Sequence, residues 1–407
     1  MSIVDGVWVR RLELEHVRVY RDLTLDIPRE GLRIVGRNGS GKSTLIEAIE
    51  LVSTTRPRRG SLDADIIAHE SGVDLGVAPY ARVVGDASRG DVSARIEIFL
   101  QKGERKGATK KLLRVADRPR RASDVVGIIP TVSFAPDDLD LILGSPSVRR
   151  RFLDILLSQT DRRYLRTLSR YARILSQRNG LLKRHQADEG ARVAADEFAF
   201  WDEQLVALGA YVIAARVRAM RGIRDAAAGS FERLSPESGV LEVRYVSSIQ
   251  ESGAWWESVE TAQDALEAAQ RIGVAFGQHL NRTQAHEIAR GATGTGPHRD
   301  DLVVTLDGRP MERFGSRGQQ RLAVVALKLA EIDVATDAIG ARPVLLLDDV
   351  LSELDERHRN LLIETLRAHR GQLIVTAAEP KLVMTDALEE LKMVTLTAPG
   401  VLATDGE

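Results

Sequence analysis

Cysteine is missing altogether from the 407 residues. That excludes disulfides, thiolate metal sites and a cysteine nucleophile, and it fits a reducing compartment. Net charge is nearly missing too: 57 Lys and Arg against 58 Asp and Glu leave −1. No global field therefore draws the chain onto nucleic acid, and any basic footprint has to be local. No uncharged apolar run approaches the roughly 18 residues needed to cross a bilayer. The opening MSIVDGVWVRRLELEHVRVY alternates apolar and charged residues where a signal peptide would have an apolar core. There is no internal repeat and no low-complexity tract. What remains, 43% hydrophobic and 28% charged, is an ordinary globular composition, long enough for two or three domains. A soluble, cytoplasmic protein with no membrane partner is expected.

The first hundred residues read as strands. VWVRRLELEHV has period two, LRIV is a short apolar run ending at a glycine, and SARIEIFLQKGERKGATKKLLRV looks like a hairpin. STLIEAIELVS, between them, has helical spacing. From about Ser147 helical periodicity dominates, interrupted by one strand-like run, GVLEVRYVSSI. After Gly291 short strand signals return in DDLVVTL, PVLLLDD and QLIVTAA. The simplest division is an α/β lobe built from 1–146 and 286–407, with a mainly helical lobe, 147–285, inserted between the halves.

GRNGSGKST, Gly36 to Thr44, fits the phosphate-loop pattern G-x-x-x-x-G-K-[ST], with a strand before it and a helix after it, as the motif requires. Gly36, Gly39 and Gly41 let the backbone N–H groups turn inward, with Arg37, Asn38 and Ser40 between them. The helix start at Lys42 adds positive charge where phosphates lie. Lys42 supplies a point charge for the β- and γ-phosphates, and the Ser43 hydroxyl is a Mg²⁺ ligand. ATP and Mg²⁺ are the expected cofactors. PVLLLDDVLSELDERHR then sets an acid at the end of an apolar strand. Asp348 takes the Mg²⁺-coordinating role of such a strand end, and Asp349 could orient or deprotonate the attacking water. The alternative is that both acids cap the following helix.

FGSRGQQRLAVVALKLAEI puts a polar corner on the front of an apolar helix. Ser316, Arg317, Gly318, Gln319 and Gln320 offer a hydroxyl and backbone N–H groups at a helix start. In head-to-tail ATP clamps such a corner is presented to the phosphates by a second subunit, and two-fold symmetry makes two sites. The local alternative is Ser316 as a plain N-cap with the glutamines exposed.

Between Ser147 and Arg184 eleven Lys or Arg (Arg149, Arg150, Arg151, Arg162, Arg163, Arg166, Arg170, Arg173, Arg178, Lys183, Arg184) face two acids, Asp154 and Asp161. Arg162, Arg166, Arg170 and Arg173 share one helical face, away from Leu165, Leu168 and Leu175. This is the footprint of phosphate contacts without base reading; a solvated face or internal ion pairs is the alternative. Arg56, Arg58 and Arg59 form a weaker second cluster. His298 and Arg299, in GTGPHRDDL, read as structural or interface residues.

Taken together, GRNGSGKST, SRGQQR and LLLDDVLSELD resemble the ABC-type ATPases of the SMC group. GSPSVRRRFLDILLSQTDRRYLRTLSRYARILSQRNGLLK, GPHRDDL and GQQRLAVVALKLAEI narrow the resemblance to the RecF family of bacterial recombination mediators, over nearly the whole chain. The resemblance implies an ABC-type P-loop ATPase lobe with a helical second lobe and slow, DNA-stimulated ATP hydrolysis. It implies an ATP-dependent homodimer that binds single- and double-stranded DNA at junctions or gaps. With other mediators of the same pathway it would load recombinase in repair and replication restart. It further implies that Ser316 and Gln319 act in trans on the γ-phosphate, that Ser352 to Asp355 form a D-loop across the same interface, and that Arg18 lies near the nucleotide. The chain departs from the family in VRVY and GRNGSGKST, which are nearer the general SMC form. IVTAAEP offers Thr376 where a switch histidine is usual, and a separate Q-loop glutamine is not evident near VSFAPDDLDLI. Against a transporter-associated ATPase stand the helical insertion and its arginine face. Against an SMC-like arm stand heptads too short and too often broken.

Overall fold

The computed structural model describes residues 6–58, 61–72, 76–103, 108–187, 197–249, 253–262 and 264–404. The chain divides into two compact units, Met1–Asp138 with Glu331–Glu407, and Leu139–Ala330.

Unit 1 begins with β1 (Trp8–Val17), β2 (Tyr20–Asp26), β3 (Gly31–Gly36) and α1 (Lys42–Thr54). It continues with β4 (Tyr80–Arg89), β5 (Val92–Lys102), β6 (Thr109–Val115), β7 (Arg118–Pro119) and β8 (Thr131–Phe134). Unit 2 holds α2 (Pro146–Thr160), α3 (Arg162–Ala187), α4 (Ala199–Leu234), β9 (Leu241–Val246), α5 (Ala265–Arg290), β10 (Asp301–Leu306) and β11 (Arg309–Pro310). The helix α6 (Arg317–Ile339) passes the division at Ala330. The chain then ends in unit 1 with β12 (Val344–Asp348), α7 (Glu356–Ala368), β13 (Leu373–Ala377), β14 (Lys392–Ala398) and β15 (Val401–Thr404).

Two six-stranded sheets make unit 1. The antiparallel one runs β2-β1-β4-β5-β6-β7, and the other, parallel except for the β14/β15 pair, runs β15-β14-β3-β13-β12-β8. The period-two strands of the start serve the first sheet: β1 alternates buried Leu12 and Leu14 with more exposed Arg11 and Glu13. The continuous apolar runs of β12 and β13 are buried at every residue, as a parallel sheet covered on both faces demands. One core joins both sheets through α1, whose Leu45, Ile46, Ile49 and Val52 are each at most 1% exposed. Gln372 ties them further, accepting from Val9 N at 2.8 Å and donating to Val9 O at 2.9 Å and Pro28 O at 2.7 Å. Gly31, at φ +122, lets β3 approach β13 so closely that a Cβ there would lie 1.7 Å from Leu373 O.

Unit 2 is a helical layer with a small antiparallel sheet, β11-β10-β9. The sequence division placed DDLVVTL with the α/β lobe, whereas β10 pairs along its length with β9 of the helical unit. Strand character alone does not say which sheet a strand joins. A buried ionic network fixes the helices. Arg178 of α3 is fully buried and pairs with Asp202 at 2.5 Å and Glu287 at 2.7 Å. Arg216 of α4 pairs with Asp154 at 2.7 Å and donates to Pro297 O at 2.6 Å. Among the described residues no helix is long and apolar enough to cross a membrane.

Candidate nucleotide site

The loop after β3 closes as its glycines require, Gly39 and Gly41 having φ +80 and +108. A Cβ at Gly41 would lie 2.8 Å from the Tyr20 hydroxyl, so only glycine lets the loop pass there. The helix α1 then starts at Lys42 with no side-chain cap. That leaves its first N–H groups for an anion, in a helix whose N-terminus is positive. A cavity of about 630 Å³ lies against the loop, lined by Arg18, Asn38, Lys42, Ser43, His69 and Asp349 among others.

The Lys42 ammonium is buried and donates to the carbonyls of Gly36 at 2.6 Å and Arg37 at 3.1 Å, curled over its own loop. Burial pushes its pKa down, while Asp349 and Asp348 hold it up. Ser43 Oγ donates to Asp348 Oδ1 at 2.9 Å. This joins the loop to the end of β12 across 305 residues of chain, and it places a hydroxyl and a carboxylate, both hard oxygen donors, side by side. Among the described residues no group of three or more His, Asp or Glu could hold a metal alone. A hydroxyl beside a carboxylate is a donor set that suits a Mg²⁺ ion, its other ligands coming from water and a bound phosphate.

Thr376, noted in the sequence only as standing where a histidine was expected, clasps both acids. Its hydroxyl donates to Asp348 Oδ1 at 3.1 Å and accepts from Asp349 N at 3.0 Å. Asp349 sits in the left-handed region at φ 55 and accepts from Ala378 N at 3.3 Å, with its side chain on the cavity. Neither acid caps a helix of more than one turn: α7 is capped by Asp355, which accepts from His358 N at 3.0 Å. Ser352 is likewise engaged locally, donating to Asp349 O at 2.7 Å. Arg18 lines the cavity, but its guanidinium pairs with Glu47 at 2.7 Å.

Ser316 is the N-cap of α6 and makes a reciprocal box with Gln319. Gln319 N donates to Ser316 Oγ at 3.2 Å and Ser316 N to Gln319 Oε1 at 2.8 Å. Ser316, Arg317 and Gly318 are exposed. Gln320 is buried, donating to the carbonyls of Met311 at 3.3 Å and Glu312 at 3.2 Å. The local alternative, a plain N-cap with both glutamines exposed, fails at Gln320, because the residues before α6 turn back under it.

The basic cluster divides. Arg162, Arg166, Arg170 and Arg173 are exposed along α3, and none makes an ion pair with a described residue. Arg163 is exposed but lies over the Tyr211 ring, 4.5 Å from its centroid. Arg149 pairs with Asp301 at 2.7 Å, Arg150 donates to Asp300 O at 2.6 Å, and Arg178 is buried. Arg151 is half-buried and has interactions of its own. Arg56 is exposed and Arg59 lies outside the described residues. Arg58 turns inward instead, to Glu50 and Asp348. Formal charge counting cannot separate solvent-facing arginines from those that neutralise acids distant in sequence. His298 is structural, bridging the Tyr171 hydroxyl at 2.7 Å and Thr293 O at 3.2 Å.

Residues 8–402 match the RecF/RecN/SMC N terminal domain family. The chain is 43% identical over 385 residues to the DNA replication and repair protein RecF of Thermomicrobium roseum, covering 95% of this chain and 97% of that one. It also aligns with a solved structure of the recombination mediator protein RecF with ATP, of the RecFOR pathway, at a TM-score of 0.83 and 25% identity over 99% of both chains. The Smc head domain of Pyrococcus furiosus matches in fold alone, at a TM-score of 0.50, 16% identity and 97% and 95% coverage.

Proposed function

Since the chain belongs to the RecF/RecN/SMC N terminal domain family, we propose that it is an ATP-switched, DNA-binding recombination mediator of DNA replication and repair. The observation that supports this reading is the Ser43–Asp348 contact at 2.9 Å beside an uncapped helix start. Lys42 and the loop N–H groups bind the β- and γ-phosphates. Ser43 and Asp348 would hold Mg²⁺, which supplies charge neutralisation on those phosphates. Asp349, fixed by Ala378 N and Thr376, orients or deprotonates the attacking water. Hydrolysis is slow, is stimulated by DNA and resets the complex.

Ser316, Arg317, Gly318 and Gln319 reach the γ-phosphate of a partner subunit, with Ser352 and Asp355 on the same interface, so ATP makes a two-fold dimer. The exposed arginines of α3 bind DNA backbone at single-strand/double-strand junctions or gaps. There, in the cytoplasm, the dimer works with other mediators of its pathway to load recombinase. Sedimentation with and without ATP and gapped DNA tests this reading. ATP should shift the wild type to a dimer and Lys42→Ala should stay monomeric. A wild type that stays monomeric with ATP and DNA would sink the dimer switch.

A further inference from the structure

By sequence Arg58 belongs to the weaker basic cluster of Arg56, Arg58 and Arg59, and its actual partners point elsewhere. Its guanidinium uses Nε (3.0 Å) and Nη2 (3.2 Å) as a fork on the two oxygens of Glu50, and Nη1 on Asp348 Oδ2 at 2.6 Å. The Arg58 side chain is 21% exposed, Glu50 14% and Asp348 4%. Burial opposes the charged guanidinium, but Glu50 and Asp348 outweigh it, so Arg58 stays a cation. The turn that delivers it is built for the purpose. α1 ends at Thr55 in the left-handed region, whose N–H donates to Leu51 O, and the chain doubles back so that Arg58 meets the helix eight residues upstream.

Asp348 is consequently engaged at both oxygens. Oδ1 accepts from Ser43 and Thr376, and Oδ2 accepts from Arg58. The nearby cavity is lined by Asp349 and not by Asp348. A hard divalent cation needs that carboxylate, and two cations cannot share it at contact distance without strong repulsion. We propose that Arg58 is a resident counter-cation of Asp348 that competes with the divalent metal, so that metal can bind only as Nη1 withdraws while Glu50 keeps hold of the fork. Glu50 is thus the positioning residue of this exchange: it gives Arg58 somewhere to stay when it leaves Asp348. The inference rests on Ser43 and Asp348 being the metal site.

The sign of the consequence is unusual, because deleting a conspicuous arginine of the site should improve metal binding. The test is Mn²⁺ affinity of the full chain by electron paramagnetic resonance, without nucleotide and with saturating ADP. Arg58→Gln should bind Mn²⁺ roughly tenfold more tightly than wild type, the size expected from removing a hydrogen bond to a charged group. Glu50→Gln should bind it more weakly, since Arg58 is then left with Asp348 alone, and this loss should largely vanish in the double variant. Equal or weaker Mn²⁺ binding by Arg58→Gln overturns the proposal, as does tighter binding by Glu50→Gln. If Arg58→Gln does not fold, Arg58→Lys carries the test. One ammonium cannot span both acids, so affinity should rise by a smaller factor, and no rise is the contrary result. Asp348→Asn separates the two levels of the argument. If it leaves Mn²⁺ binding intact, the metal site itself is misplaced. If it abolishes binding while Arg58→Gln changes nothing, only the competition is wrong.

Discussion

At the residue scale, Thr376 shows how much one hydroxyl can organise. It satisfies Asp348 and the strained backbone of Asp349 together, so Thr376→Val leaves buried polar atoms unpaired, at a cost of about 1–3 kcal/mol. Urea unfolding should register that loss, and ATP turnover should fall with it if Asp349 is misdirected. Thr376→Ser, which keeps the hydroxyl, should restore most of both. Lys42→Ala should abolish ATP binding measured by calorimetry, because the helix start alone lacks the point charge. Asp349→Asn should bind ATP and trap the dimer, and unchanged hydrolysis there would remove it as the water-orienting residue. The phosphate loop and the acid pair were legible as residue types at fixed spacing. Thr376 was not, since its role depends on β13 lying beside β12 in register, with Asp348 opposite Thr376.

At the element scale, substitution can separate the cap at the front of α6 from the trans contact proposed for it. Ser316→Ala and Ser316→Arg both remove the cap, at about 1 kcal/mol. Only the arginine should block ATP-dependent dimerisation outright, read by sedimentation. Equal dimerisation of the two variants would reduce Ser316 to a cap. The helix α3 makes a similar distinction. Of its arginines, Arg166, Arg170 and Arg173 face solvent and Arg178 is committed to Asp202 and Glu287. Replacing Arg166, Arg170 and Arg173 together by Ala should lower DNA affinity and flatten its logarithmic salt dependence by roughly 3. Helical periodicity revealed the stripe. It could not reveal that Arg149 and Arg150 answer Asp301 and the Asp300 carbonyl about 150 residues later.

At the scale of the whole molecule, each unit carries a half-buried histidine that reports on its packing. Burial pushes His298 in unit 2 and His369 in unit 1 down to about 4. The unfolded chain takes up these protons near the ordinary value of 6.5, so their contribution to stability is complete above that pH and is lost as pH falls towards 4. Between pH 7.5 and 5.5 each should cost about 1 kcal/mol, and His298→Gln should flatten the dependence by that much in urea melts. The division into units also belongs to this scale. Alternating and continuous apolar runs announced strands at both ends of the chain, yet nothing in DDLVVTL says that it will pair with β9 and not with the sheet of β12. Sheet membership is a long-range choice, set by pairing between strands about 60 residues apart.

The sequence by itself determined the chemistry: a glycine-bent loop ending in Lys42 and Ser43, an acid pair on an apolar strand, a polar corner on α6, and the ABC-type α/β fold these motifs accompany. Those are local patterns, written in backbone freedom and residue periodicity. Only the tertiary structure decided which charges meet. Arg58 lies on Asp348 and Glu50, Arg178 lies within the helices, and Thr376 lies under both acids. Charge pairing acts over a few ångströms in space and is blind to separation along the chain, so no reading of spacing could supply it.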